Sequence, residues 1–188
     1  MLIYLYNVAT LLSVLYNSIT QKNVTLHNLT IGLYQINNMR VVIQRVSHAS
    51  VEVNSKEISK IGAGLLILVG VEIGDTEQDA EWLAAKTANL RIFEDENGVM
   101  NLSLVSIGGE ALAVSQFTLT ASTRKGNRPS YIRAAGHDIA VPMYEKYCEL
   151  LSEHIGREVK KGVFGADMKV SLINDGPVTI IMDSRIKE

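Results

Sequence analysis

Two stretches of this sequence place polar groups where buried strands are expected. The first is "SQFTL", Ser115 to Leu119, directly after the apolar run "EALAV". Ser115, Gln116 and Thr118 are odd choices there, and two chemistries fit them. The hydroxyls can serve only to satisfy local backbone groups where a strand leaves the core. Alternatively, the strand end opens hydroxyls and backbone N–H groups to a cleft, where such donors hold an ester or a developing oxyanion. The second stretch is "NDGPVT", Asn174 to Thr179, set between the apolar runs "VSLI" and "IIMD". Asn-Asp-Gly-Pro makes an adequate turn, yet Asn-Gly or Asp-Gly alone suffices for a hairpin. The added proline removes a donor and stiffens the chain. An X-Pro bond is held cis at modest cost. A cis Gly176-Pro177 step would turn the neighbouring carbonyls to one side, as a fixed acceptor pair suited to an ammonium group. On the residues alone both alternatives stay open.

Other chemistries are poorly supported. The four histidines (27, 48, 137, 154) are scattered, and no two are spaced i,i+4. With one cysteine there is no zinc constellation and no internal disulfide. Cys148, within "YEKYCELL", reads as a buried helix position, and His48 as a surface residue. No G-x-S-x-G elbow, P-loop or G-x-G-x-x-G is present. We therefore expect no metal and no cofactor. The formal net charge of −2 over 188 residues gives no global basic field, so a polyanion would have to meet a local patch. Arg124, Lys125, Arg128 and Arg133, in the loop after "SQFTL", form one. They are suited to phosphates, and Tyr131 to stacking on a base. A solvated loop with a half-buried tyrosine is the equal alternative for each.

The elements that must carry these residues are legible from Met39 on. "RVVIQRV" and "ASVEV" read as two strands, "NSKEISKIGAG" as a turn, a short strand and a bend. The continuous apolar run Gly64–Glu72 predicts a strand covered on both faces. "DTEQDAEWLAAKTANLR" predicts a helix capped by Asp75 with Gln78, its apolar face formed by Ala80, Leu83, Ala84, Thr87 and Leu90. "EALAVSQFTL" reads as a further buried strand. A second helix, "DIAVPMYEKYCELLSEHIG", would start at an Asp138 cap, with Pro142 in its first turn and Gly156 ending it. "EVKKGVF", "MKVSLI" and "PVTIIMD" close the chain as three strands. The fold class expected is α/β: a single domain of mixed β-sheet with two packed helices.

The first 38 residues differ in kind. They contain no Asp or Glu, a single Lys, four of the seven tyrosines and six asparagines. "MLIYLYNVATLLSVLY" lacks a basic n-region and a small-residue cleavage site. It also falls short of the ~20 apolar residues that span a bilayer. A signal or anchor, a genuine appendage, and a gene-model artefact ahead of a natural start at Met39 are the competing readings. We expect residues 1–38 to be a non-family extension, disordered or artefactual, and residues 39–188 to form the domain.

Taken together and in order, "QRVSHASV", "SQFTL", "RKGNRPS", "FGADM" and "NDGPVT" strongly resemble D-aminoacyl-tRNA deacylase, the D-tyrosyl-tRNA deacylase family, from Met39 to about Asp183. The resemblance implies hydrolysis of the ester joining a D-amino acid to the 3′-terminal ribose of tRNA. It implies a homodimer with sheets extended across the subunits. In it each Gly176-Pro177, in cis, enters the partner's active site as a chirality filter, and Arg45 holds that loop from behind. Backbone N–H groups near Phe117 and Thr118 would stabilise the oxyanion, while Ser115 and Gln116 shape the pocket for the terminal adenosine. Whether Thr118 attacks, or a water aided by the tRNA 2′-hydroxyl, stays open. The implied partner is a tRNA acceptor end carrying a D-amino acid or glycine, in the cytoplasm, with no membrane and no DNA required. The rival classes are a non-catalytic tRNA- or nucleic-acid-binding protein on the same fold, and a serine or threonine esterase, which would need a histidine partner the sequence does not place.

Overall fold

The structure, a computed structural model, describes residues 39–186. The expectations for residues 1–38 therefore lie outside the described residues. The order of elements is β1 (Arg40–Val53), β2 (Lys56–Ile61), β3 (Gly64–Gly70), α1 (Glu77–Asn89), β4 (Phe93–Glu94), β5 (Met100–Leu102), α2 (Leu104–Ile107), β6 (Glu110–Ser115), a 3₁₀ turn (Phe117–Thr120), α3 (His137–Ile155), β7 (Lys160–Lys161) and β8 (Lys169–Asp183). Among the described residues this is one mixed α/β domain with three helices rather than two.

β1 organises the main sheet. Its first half pairs antiparallel with β3 (Arg40↔Gly70 to Val46↔Gly64) and its second half with β2 (Ala49↔Ile61 to Val53↔Lys56). β8 runs antiparallel along it from Arg40↔Asp183 to Glu52↔Lys169. A strand has two edges, so β2 and β3 share one and β8 takes the other. β3 continues the sheet through parallel pairing to β6, and β6 to β7. Among the described residues β8 pairs with β1 alone, which leaves its outer edge open.

The alternation of β3 explains its continuous apolar run. Leu65 and Ile67 pack under α1 and α3 with Val41, Ile43, Leu83 and Leu151, whereas Leu66 faces the opposite side with Val46, Val51 and Leu112. α3 is tied to the sheet by Tyr144, whose hydroxyl donates to Ala113 O at 2.9 Å, and to α1 by Thr87 and Tyr147, whose hydroxyls lie 2.9 Å apart. Cys148 is buried and its thiol is pushed up to about 12 by that burial. It is a packing residue. No helix among the described residues is long and apolar enough to cross a membrane.

Several boundaries differ from the sequence expectation for physical reasons. "RVVIQRV" and "ASVEV" are one strand, because β8 pairs along its whole length past an irregularity around Ser47. "MKVSLI" and "PVTIIMD" are likewise one strand, so the Gly-Pro step interrupts a strand rather than ending one. "EALAVSQFTL" leaves the sheet at Ser115, where the chain turns 3₁₀. Of "EVKKGVF" only Lys160–Lys161 pairs. α3 starts after Gly136, which puts Pro142 in the second turn.

α1 is capped by Thr76, with Asp79 Oδ2 accepting from Thr76 N at 2.9 Å and from Thr76 Oγ1 at 2.7 Å. Asp75 cannot serve, since its Oδ2 accepts from Glu72 N at 2.7 Å. Burial pushes the Asp75 carboxyl up to about 7. The folded chain therefore keeps a proton that the unfolded chain sheds near the ordinary carboxylate pKa. The stability this contributes is complete below about pH 4 and lost as pH rises through about 7. We expect Asp75→Asn, which keeps an acceptor and cannot ionise, to flatten this decline and to raise stability at pH 8 by a few kcal/mol, on the order of one to three. Urea midpoints of both chains at pH 5 and pH 8 measure it. An equal decline in the two would refute the assignment.

Candidate active site

The end of β6 opens into a pocket of about 450 Å3. Ser115, Gln116 and Phe117 form one wall, Phe164 to Met168 another, with Val71, Ala135 and His137 between them. The chain can turn here because Gly70 lies beside it. A Cβ on Gly70 would stand 2.9 Å from Leu119 Cβ and 3.1 Å from Gln116 O, so only glycine lets the 3₁₀ turn settle onto β3. Gln116 N still donates to Val69 O at 2.7 Å, the last rung of the sheet. The amides of Phe117 and Thr118 open the 3₁₀ turn and have no acceptor within it.

Thr118 diverges from its neighbours. Gln116 Nε2 donates to Thr118 Oγ1 at 2.6 Å, and Thr118 borders a separate groove with Arg40, Val42 and Ile180. The sequence grouped Thr118 with Ser115 to Phe117, and the structure keeps it adjacent but turned from the pocket. Phe117 is exposed and meets Tyr131 edge-to-face, ring centroids 5.1 Å apart. Tyr131 is thus brought to the pocket rim. Arg124, Lys125 and Arg128 lie exposed in a loop closed by paired hydrogen bonds between Ser122 and Ser130, at 2.8 and 2.9 Å. Arg133 stands apart from them, Nη2 donating to Thr120 O at 3.0 Å and lying 3.4 Å from Glu72 Oε1.

The Gly-Pro step is built by a mismatch of register. Gln44 pairs with Thr179 and Val46 with Asn174, so Arg45 alone faces the four residues Asp175 to Val178. The excess chain arches away, and the Gly176-Pro177 bond is cis. Asn174 spans the arch, its Oδ1 accepting from Val178 N at 2.9 Å and its Nδ2 donating to Thr179 Oγ1 at 3.1 Å. Arg45, almost fully buried, fills the space beneath. Its Nε donates to Asp175 O at 3.0 Å and its Nη1 to Ile92 O at 2.7 Å. Gly176 has φ +122°, and a Cβ on it would stand 2.8 Å from Arg45 Nη2. None of residues 174–179 lines the pocket of Ser115 to Phe117.

The chain is similar over most of its length to known proteins. The family model for D-Tyr-tRNA(Tyr) deacylase matches residues 42–183. The chain belongs to that family. D-aminoacyl-tRNA deacylases of Parabacteroides distasonis and Bacteroides thetaiotaomicron are 61% and 60% identical over 150 residues, covering 80% of this chain and all of each relative. Among solved structures, a c-Myc DNA unwinding element binding protein is 41% identical, with TM-score 0.72 over 77% of this chain and 97% of that one. A probable eukaryotic D-amino acid tRNA deacylase, 17% identical, shares the fold with TM-score 0.68 over 78% of this chain and 99% of that one.

Around the pocket and the arch, the sequence left three contributors unread. His137 meets Phe164 edge-to-face at 4.9 Å on the pocket wall, Asn174 bridges the arch, and Ile92 O anchors Arg45. "FGADM" marked Phe164. Nothing local marked His137 or Ile92, because each acts through a partner distant in sequence, whereas Asn174 bonds only four and five residues along and was read only as part of the "NDGPVT" turn.

Proposed function

We propose that the protein hydrolyses the ester of D-aminoacyl-tRNA, acts also on glycyl-tRNA, and does so as a homodimer in which each Gly176-Pro177 arch enters the partner's pocket. The observation carrying this reading is the separation within one protomer. The pocket holds Ser115, Gln116 and Phe117, and the arch that would read the amino group lies outside it. The open outer edge of β8, with Ile173 and Ile181 exposed on either side of the arch, supports a second copy as the missing neighbour.

In this reading the carbonyls of the arch fix the α-amino group, which every amino acid shares. A D side chain then points into free space and an L side chain meets the wall. Rejection by clash is not limited to the 10–200-fold that about one methylene supplies. Glycine has no Cβ to clash. The amides of Phe117 and Thr118 would take the oxyanion. Because Thr118 Oγ1 is already held by Gln116, a water aided by the tRNA 2′-hydroxyl fits better than attack by Thr118. Arg124, Lys125 and Arg128 would meet phosphates near the acceptor end.

Deacylation of D-tyrosyl-tRNA, L-tyrosyl-tRNA, glycyl-tRNA and a simple ester tests the reading. We expect turnover of the D and glycyl substrates, with D favoured over L by more than about 200-fold. Equal turnover of D and L with glycyl-tRNA untouched would defeat the filter. The 41% identical relative named for DNA binding supports a second reading, a nucleic-acid-binding protein without chemistry. Salt-steep binding of duplex DNA with no deacylation would favour it.

A further inference from the structure

The 3₁₀ turn Phe117–Thr120 ends in two carbonyls gripped by arginines. Arg40 Nη1 donates to Leu119 O at 2.7 Å, and Arg133 Nη2 to Thr120 O at 3.0 Å. Each guanidinium is backed by a buried carboxylate. Arg40 Nε and Nη2 reach Asp183 Oδ2 at 3.2 and 2.8 Å, and Arg133 Nη2 lies 3.4 Å from Glu72 Oε1. We propose that Arg133, held by Glu72, and Arg40, held by Asp183, are positioning residues that clamp the carbonyl end of this turn and so aim its free amides at the pocket.

The reasoning runs from charge to geometry. Peptide dipoles in a helical turn leave negative charge at the carbonyl end, where a cation is favoured. Two cations there resist tilting of the turn as well as fraying. The Glu72–Arg133 arm also fixes the facing wall. Ile73 N donates to Arg133 O at 2.9 Å, Ala135 N donates to Val71 O at 3.0 Å, and Glu72 pairs with Ala134. Val71 and Ala135 both line the pocket. One ion pair therefore joins the end of β3, the end of the 3₁₀ turn and the segment leading into α3.

The ion pair is a poor choice as a mere stabiliser. Glu72 is 2% exposed, and burial holds its carboxyl above the usual range against the pull of Arg133. Glu72 Oε1 and Arg133 Nε, both buried, make no hydrogen bond. With Glu72 buried and the Arg133 side chain 42% exposed, an ion pair this incompletely hydrogen-bonded repays little of the desolvation of Glu72. Its value lies in where it puts the turn.

This role for Arg133 competes with the phosphate contact that its sequence position beside Arg124, Lys125 and Arg128 suggests, and the two make opposite predictions. With the full chain, deacylation of D-tyrosyl-tRNA is measured over a range of salt for Glu72→Gln, Arg133→Gln, Arg133→Lys and Arg40→Gln. Amide hydrogen exchange is followed at residues 119–121 and along β1. As positioning residues, Arg133→Gln and Glu72→Gln each lower kcat by about 10–100-fold with KM and salt slope unchanged. Arg133→Lys recovers part of the loss. Arg40→Gln gives a similar fall in kcat. Exchange at 119–121 rises by about tenfold or more in the Gln variants while β1 stays protected.

A raised KM and a salt slope reduced by about 1 in Arg133→Gln, with Glu72→Gln silent, would make Arg133 a phosphate ligand and overturn the proposal. A lowered Tm with kcat and local exchange untouched would overturn it too. The kcat comparison rests on reading this turn as the deacylation site, whereas the exchange comparison does not. An intact chain inactive on D-tyrosyl-tRNA would end that reading, and exchange alone would then decide the clamp.

Discussion

A Gly176→Ala chain is expected to lose about 10²-fold or more in kcat/KM on D-tyrosyl-tRNA while remaining folded. The backbone at residue 176 has φ +122°, a conformation that L side chains rarely adopt. The added methyl would also stand 2.8 Å from Arg45 Nη2 and 2.9 Å from Val178 Cγ2. The Arg45 end cannot swing aside freely, because the guanidinium is pinned to Asp175 O and Ile92 O. The arch must therefore move, and its carbonyls move with it. If the arch carbonyls hold the substrate as proposed, a displacement of about 1 Å is enough for a loss of that size. The strand on either side is unaffected, since pairing resumes at Asn174 and Thr179. The same variant tests which subunit supplies the arch. Gly176→Ala chains are mixed with chains whose pocket is blocked by Ser115→Trp. If the arch acts across subunits, a mixed dimer regains one intact site. If it acts within its own chain, both sites stay dead. Activity of Gly176→Ala within threefold of the unaltered chain would remove the arch from the mechanism.

What the sequence revealed, and what it hid, divides along the range of the interactions. The apolar run of β3 and the alternation within β1 are local patterns, and strands lie on both, although the two strands read in β1 are one. The Gly156 stop of α3, whose φ of +67° glycine adopts freely, also lies where it was read. The start of α1 was misjudged, because "DTEQD" offers two caps. The choice fell to Thr76 once Asp75 was taken by Glu72 N, a bond outside the helix. The unity of β8 was hidden for the same reason. Asn-Asp-Gly-Pro signals a turn locally, yet the full-length partner strand β1 holds both flanks in one line. At the end of β6, Ser115, Gln116 and Thr118 were legible as polar residues out of place in an apolar run, whereas the exposure of Phe117 and the turn of Thr118 toward a separate groove were not. Arg133 shows the limit of adjacency, since the sequence groups it with solvent-facing cations while its half-exposed side chain also reaches Thr120 O and Glu72. Patterns of period and turn can be read from one chain. Which carbonyl an arginine finds cannot.

Arg45→Ala is expected to destabilise the protein and to spoil the sorting of D from L substrates together. Arg45 is 5% exposed and opposes four residues of β8 by itself, so its side chain is the floor of the arch. Removing it orphans the buried Ile92 O at a cost of about 1–3 kcal/mol, and the bond to Asp175 O, whose residue is exposed, adds about 1 kcal/mol. The neighbouring carboxylates add little, because Asp175 and Glu94 are exposed and rehydrate readily. A loss of about 2–4 kcal/mol in unfolding free energy follows, read from urea titration. The consequence for chemistry is separate. With its floor gone the arch keeps only the Asn174 bridge above it, and its carbonyls no longer hold one direction. A filter that works by clash depends on where the amino group is held, so the D-to-L ratio should fall by about tenfold or more even at temperatures where the variant is fully folded. Arg45→Lys separates the two effects. One ammonium can reach one carbonyl but cannot bridge both as a guanidinium does. It should recover stability more than selectivity. If both variants lose stability while the D-to-L ratio stays at its original value, Arg45 supports the fold and has no part in sorting handedness.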